Sequence, residues 1–464
     1  MSPMSPDPMD APAGPNDPDS TSLSGRPRSA VTPATRRKVV VASFIGNFVE
    51  WFDYAVYGYL ATTIATVFFP ESDPHVALLS TYALFAISFL VRPIGGFFWG
   101  GLGDRIGRRS ALAYSILIMS GATFCIALLP SYAMVGLLAP LLLFLLRLIQ
   151  GFSAAGEYAG SSAFLVEYAP PRRRGIFAAV VPASTASGLL LGSLIAALLS
   201  VVMTDPQMES WGWRLPFLLA APMGLIGRYI RNRLEDTPDF QALTQQDDVV
   251  KAPTKQLLTT YWRTGLLASG AVLLNAVGFY VILSYMPVYL STEMGLDDTR
   301  SFIATTIALL TYIGFIFGTG LLSDRFGRRR VLLSASTLFI LLTVPAFILL
   351  DTDSFLLIVV IQIVLGGMLT LNDGTLPSFL AELFPTEVRY SGFAISFNLS
   401  NAVFGGTAPF VATFLIGATG SKLAPAWYLV AAAAVSMIAV LIARETAHRE
   451  LRGTVAADAT VTKE

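Results

Sequence analysis

The sequence predicts an all-α membrane protein of twelve transmembrane helices, built as two six-helix pseudo-repeat bundles. Three observations lead there. Apolar residues make up 54% of the 464 and charged residues only 13%, with a mean hydropathy of +0.63, whereas a soluble globular chain is about a quarter charged. Apolar runs of roughly 20 residues, long enough to cross a hydrocarbon core, recur twelve times. Charged motifs placed between those runs repeat, in register, halfway along the chain.

Taken in order, residues 1–35 are rich in Pro, Ser, Asp and Gly and too poor in apolar groups to offset the entropy of ordering; they read as a disordered cytoplasmic tail. They do not form a signal peptide, because the basic residues come at the end and the apolar run from Val39 is too long. Helices are expected near 39–60, 76–102, 110–129, 134–158, 174–202 and 213–231, making an N-terminal bundle over 36–232. A cytoplasmic inter-bundle loop covers 233–262. Helices near 264–291, 301–322, 331–350, 354–381, 390–417 and 424–443 make a C-terminal bundle over 263–446, and 447–464 form a cytoplasmic tail.

Charge sets the orientation. Of 31 Lys and Arg, 26 fall in the termini or in alternate connections such as DRIGRR, PPRRRG and DRFGRRR, two (Arg92, Arg147) lie within spans, and only Arg214, Arg300 and Lys422 face the other way. The positive-inside rule places both termini in the cytoplasm of a multi-pass plasma-membrane protein. The halves then align: GGLGDRIGRR (100–109) with GLLSDRFGRR (320–329), and FLVEYAPPRRRG (164–175) with FLAELFPTEVRYSG (379–392), which keep F-L-x-E-x-x-P-x-x-x-R in register at offsets of 220 and 215 residues. Parallel repeats of this kind place a substrate site between the halves at mid-membrane.

Several chemistries are set aside. The single cysteine, Cys125, excludes an intramolecular disulfide; two histidines without clustered ligands offer no metal site. No GxxxxGK(S/T) loop is present for nucleotide-driven pumping. No cofactor or nucleic-acid partner is expected, no catalytic constellation appears, and the chain is expected to be a monomer and not an enzyme.

The two copies of GxxxD(R/K)xGRR resemble the signature of the major facilitator superfamily. A narrower resemblance runs through most of residues 38–446: GNFVEWFDYAVYG, FLVRPIGGFFWGGLGDRIGRR, RLIQGFSAAGEYAG, WGWRLPF, SYMPVYLS and NLSNAVFGGTAPF, in that order, look like the metabolite:proton symporters. Within that branch YWRTGLLASG, SYMPVYLS and LLSDRFGRR look most like the carriers of proline and glycine betaine, although the carboxylate of Asp373 departs from that pattern. The resemblance implies the major facilitator fold, and that the DRIGRR and DRFGRRR clusters, with Asp104, Arg105, Arg109, Asp324, Arg325 and Arg329, hold the cytoplasmic side closed. In both loops glycines permit a tight turn, and the aspartates can cap helices or pair with arginines.

The intramembrane charges suggest the mechanism. Counting ~1.5 Å per residue from the helix ends puts Glu50 and Asp53 roughly 18 and 22 Å deep and Arg147 about 20 Å deep. An ionised carboxylate at that depth is costly unless paired. The expectation is that Asp53 or Glu50 carries the proton, Arg147 anchors a substrate carboxylate or serves as counter-charge, and Gln150 orients it; the rival is a packed ion pair between helices 1 and 4. Arg92 is expected to snorkel to the cytoplasmic interface. Trp51, Tyr54 and Tyr57 can face a quaternary ammonium or simply pack. Asn275, Tyr280, Tyr285, Asn372, Asp373, Asn398 and Asn401 are polar groups in apolar spans, suited to a cavity or to interhelical hydrogen bonds. Asp373 stands out as a second titrating site or a partner for a substrate cation. Glu157, Glu167 and Glu382 are expected in the cytoplasmic networks.

The resulting expectation is a symporter that imports a small carboxylate-bearing solute with protons. A proline/betaine-type zwitterion comes first, because a dianion such as 2-oxoglutarate or citrate needs a second cationic anchor; a proton-coupled exporter uses the same fold.

Overall fold

The computed structural model describes residues 32–232, 253–449 and Leu451; most of the N-terminal tail, most of the inter-bundle loop and most of the C-terminal tail lie outside these residues. The described residues form helices and no strands. The twelve long ones are α1 (Pro33–Tyr59), α2 (Pro74–Leu90, continuing as Arg92–Ile106), α3 (Arg108–Ala127), α4 (Leu138–Ala154, then Glu157–Tyr168), α5 (Arg174–Ala178, then Val180–Val202) and α6 (Arg214–Asn232), followed by α7 (Trp262–Gly278, a π-helical turn at Phe279–Tyr285, then Met286–Thr292), α8 (Asp298–Phe326), α9 (Arg328–Leu349), α10 (Phe355–Asp373, then Leu376–Leu383), α11 (Arg389–Ser400, a π-helical turn at Asn401–Gly405, then Ala408–Thr419) and α12 (Ala424–Ile442). Eleven of them are long and apolar enough to cross a membrane; α6, with arginines near both ends, completes the first six.

The sequence repeat reappears as a packing repeat. In the first bundle α1 lies on α5 and α3 on α6; in the second α7 lies on α11 and α9 on α12. Across the interface α2 packs on α11 and its counterpart α8 on α5, while α4 meets α10. Small residues permit the approach: a Cβ added to Gly100 would meet the Ser391 backbone, and one added to Gly175 would meet the Gly320 carbonyl oxygen. Gly107 and Gly327, at equivalent places between α2 and α3 and between α8 and α9, have φ of 98° and 96°, a region that disfavours side chains and lets the chain turn between two helices in one residue. Large apolar side chains such as Leu198, Leu356 and Ile442 stay exposed on the outside, as a lipid-facing surface requires.

Two boundaries differ from expectation. Helix α4 runs on to Tyr168, well past its expected end near 158, with its last turns buried where it meets α10 of the opposite bundle. A short helix, Pro253–Thr260, stands in the segment expected as loop and packs under α2 and α11.

Candidate functional site

At the centre of the interface is a cavity of about 10 Å³, room for roughly one water. The first bundle contributes Trp51, Tyr158, Pro182 and Thr185, and the second Asn275, Phe279, Tyr312, Asp373, Phe397 and Asn401. Rings meet across the bundles: Tyr158 stacks on Phe397 with centroids 4.2 Å apart and planes 7° from parallel, and Trp51 meets Phe279 edge-on at 5.2 Å. Asp373 is fully buried. Its two oxygens accept from Asn275 Nδ2 at 2.8 Å and Tyr312 OH at 2.7 Å. Both donors are neutral.

Behind Trp51 lies a charged layer in the first bundle. Arg92, 2% exposed, donates from Nη2 to Glu50 Oε1 at 2.7 Å. Its guanidinium lies over Phe89 at 4.5 Å and Tyr54 at 4.7 Å. This corrects the snorkelling expectation: the side chain turns inward to a carboxylate one helix away. Arg147 is not in the packed ion pair of the rival reading. It donates to Gln150 Oε1 at 2.9 Å and Ser88 Oγ at 3.2 Å and lies over Tyr57 at 4.1 Å, forming no ion pair with Asp53 or Glu50. A relay connects it to Asp53 instead: Gln150 Nε2 donates to Thr123 Oγ1 at 2.6 Å, and Thr123 donates to Asp53 Oδ2 at 2.6 Å.

Toward the loop ends, two interlocked clusters repeat the symmetry of the sequence. Asp104 accepts from the backbone N–H groups of Tyr390 (3.2 Å) and Ser391 (2.8 Å) and from Ser391 Oγ (2.7 Å). It thus caps α11 of the opposite bundle. Asp324 accepts from Gly175 N (2.8 Å) and Ile176 N (3.0 Å) and caps α5 in the same way. Arg108 joins Asp104 to Glu167 at 3.1 and 3.4 Å, and Arg389 reaches Glu167 at 2.6 Å. The counterparts are Arg328 to Asp324 at 2.8 Å and to Glu382 at 3.2 Å, with Arg174 3.6 Å from Glu382. The Glu of each F-L-x-E motif therefore meets the Arg of the other copy. The segment after α12 crosses both: Arg174 Nη1 donates to Arg449 O and Arg389 Nη2 to Leu451 O.

This two-fold architecture agrees with the comparisons. The family model "Sugar (and other) transporter" matches residues 38–264 and 244–455. The chain belongs to the major facilitator superfamily. It is 41% identical over 429 residues to the "Proline/betaine transporter" of Escherichia coli K12, covering 90% of this chain and 85% of that one. To the "Glycine betaine/proline/ectoine/pipecolic acid transporter OusA" of Dickeya dadantii it is 40% identical over the same share of each chain. Among solved structures, the proton:xylose symporter XylE superposes with a TM-score of 0.73 at 17% identity, covering 90% of this chain and 98% of that one. The protein is a multi-pass membrane transporter of a small solute, not an enzyme.

Within this transporter the expected residues divide. Trp51, Asn275, Asp373 and Asn401 line the cavity. Tyr57 donates to Thr81 O, Tyr285 meets Thr413, and Asn398 ties the bundles by donating to Ala155 O; none of these lines the cavity. Tyr280 stands beside Trp51, and Asn372 is buried with both polar atoms unpartnered. The gate arginines need correction. Arg105 and Arg325 are exposed, Arg109 is only half-buried, and Arg329 donates to Val440 and Leu441 carbonyls of its own bundle; Arg108, through Thr386 O at 2.7 Å, Arg174 and Arg389 reach across the bundles, while Arg328 pairs with Asp324 and Glu382 of its own bundle. The i, i+4 spacing of Asp104–Arg108 and Asp324–Arg328 was the available signal. Tyr158, Tyr312, Phe279, Phe397 and Thr123 were missed, and single aromatic or hydroxyl residues inside apolar spans gave little to single them out.

Proposed function

We propose that the transporter imports a proline/betaine-type zwitterion together with protons across the plasma membrane, with both termini in the cytoplasm. The observation that carries this reading is Asp373: a buried carboxylate held by neutral donors, without a cationic partner among the described residues, in a cavity walled by Trp51, Tyr158, Phe279 and Phe397. Such a carboxylate calls for a proton or a cation, and a quaternary ammonium gains about 0.5–2 kcal/mol over each well-placed ring. The names of the relatives support the same solutes.

The count of intramembrane arginines no longer separates zwitterions from dianions, since Arg92 is buried beside Arg147. The charge balance takes its place. Arg92 and Arg147 are offset by Glu50, Asp53 and Asp373, which leaves no positive surplus for a dianion. Asp53, its Oδ1 unpartnered and its Oδ2 at the end of the Thr123–Gln150–Arg147 relay, is a proton-binding group in this reading; the charge asymmetry of the loops supports the orientation. Because the cavity holds only about one water, the bundles must part to admit the solute, and the two cytoplasmic clusters are what must separate for its release inward.

The test is uptake of radiolabelled betaine, proline, 2-oxoglutarate and citrate into proteoliposomes under an imposed inward proton gradient. Accumulation of betaine or proline, reduced by Asp373→Asn, is expected. Accumulation of only the di- or tricarboxylate, or of none of the four, would overturn the assignment.

A further inference from the structure

The Glu50–Arg92 pair is incomplete in a way that points to a ligand. An arginine and a carboxylate can join by two parallel hydrogen bonds, yet here only Arg92 Nη2 and Glu50 Oε1 meet. Arg92 Nε and Glu50 Oε2 are buried without a partner, and so are two donors beside them, Trp51 Nε1 and Tyr280 OH. Buried polar atoms are nearly always paired, so four in one neighbourhood form a concentration of unused hydrogen-bonding capacity. It adjoins the cavity, because Trp51 is both a cavity wall and a neighbour of Arg92, 5.9 Å from its ring centroid.

We propose that Arg92 is the anchor for the substrate carboxylate and that Glu50 is its internal stand-in, displaced when the substrate arrives. This rests on the zwitterion reading above and adds the group that fixes the acidic end, opposite Asp373. The guanidinium has contacts besides Glu50 that hold its position, since the neighbouring rings of Phe89 and Tyr54 lie against one side of it at 4.5 and 4.7 Å. When Glu50 leaves, Arg92 stays and presents Nε and Nη2 as a fork, with the Trp51 and Tyr280 donors nearby. The displaced Glu50 carboxylate, left in a buried position without its cation, takes one proton from the side open to water and becomes a neutral acid. Through Glu50 one proton therefore enters with each zwitterion, besides any that Asp53 carries, and the charge on Arg92 is balanced before and after. The ionisable groups facing Glu50 are Arg92 on α2, Asp53 on α1, Glu157 and Tyr158 on α4 and Tyr280 on α7, with Tyr54 of α1 against the Arg92 guanidinium. Two of these are further carboxylates, and they add repulsion that proton uptake relieves.

The isosteric variant Glu50→Gln mimics the protonated, displaced state. Binding of radiolabelled betaine to the purified full-length protein is measured across pH 5–9, together with exchange and gradient-driven accumulation in proteoliposomes. In the unaltered protein, affinity is expected to fall as pH rises. Glu50→Gln is expected to bind at least as tightly as the unaltered protein does at low pH, with pH dependence reduced at least tenfold across the range. It should exchange betaine across the membrane without accumulating it. Loss of betaine binding in Glu50→Gln would overturn the proposal, as would retention of the original pH dependence, which moves the proton to another group. Arg92→Lys supplies a second readout: it keeps the charge but not the fork, so betaine affinity should drop at every pH, and unchanged affinity would overturn the anchor. If the unaltered protein binds neither betaine nor proline, it is the zwitterion reading that fails.

Discussion

Replacing Asp104 by Asn tests whether the repeated motif holds the two bundles shut at its end of the molecule. The carboxylate is 3% exposed and accepts three hydrogen bonds from Tyr390 and Ser391 across the bundle interface, besides pairing with Arg108. Hydrogen bonds to a charged acceptor contribute about 1.5–3 kcal/mol each, and a negative charge at a helix N-terminus adds up to about 2 kcal/mol when partly buried. Asn keeps one acceptor oxygen, loses the charge and turns an NH2 toward N–H donors, while Glu167 still neutralises Arg108. A net loss of ~2–4 kcal/mol follows for the closed arrangement. At about 1.4 kcal/mol per factor of ten, the closed-to-open ratio shifts roughly 30- to 700-fold. Spin labels at the exposed positions Arg105 and Arg330, one on each bundle, with Cys125 replaced by Ser, report the opening as a distance distribution. A shift toward longer distances in Asp104→Asn is expected, and the equivalent Asp324→Asn should behave alike. An unchanged distribution would refute the capping argument.

Gly175→Ala places a methyl against the Gly320 carbonyl oxygen where α5 meets α8, so the same spin-label distances should lengthen and accumulation should fall; unchanged distances would mean that the helices slide to make room. Thr123→Val removes the hydroxyl between Asp53 and Gln150 at a cost of about 1–3 kcal/mol, which should lower the melting temperature in detergent and reduce protons moved per solute; a variant unaltered in both would show the relay to be incidental. Ending the chain after His448 removes the carbonyls that Arg174 and Arg389 use. Opening at the two charged clusters should increase while the affinity for solute offered from the opposite side stays the same, and an unaffected gate would assign that segment no part in closure.

The twelve helices and the two-fold repeat of the halves were legible because membrane thickness fixes span length and the repeated motifs align the halves. Asp104 and Asp324 were legible as capping groups, for a short acidic side chain beside glycine and arginines has few other uses in a turn. That each caps the opposite bundle was not, since the partners lie 286 and 149 residues away. Arg92 was expected at the interface because a long basic side chain can snorkel; α2 breaks at Val91, and the side chain turns to Glu50. Arg147 and Asp53 do lie in one network, but periodicity cannot reveal Thr123 on α3 as the group between them. Asp373 could be singled out as a carboxylate in an apolar span, whereas its neutral donors Asn275 and Tyr312 come from two other helices and only the fold joins them.

Proton coupling is tested most directly by adding betaine, without any imposed gradient, to lightly buffered proteoliposomes holding the purified transporter and following external pH. The account predicts that the medium turns alkaline as protons enter with the solute, and that a proton carrier abolishes the signal. Betaine entry with no change in external pH would contradict it.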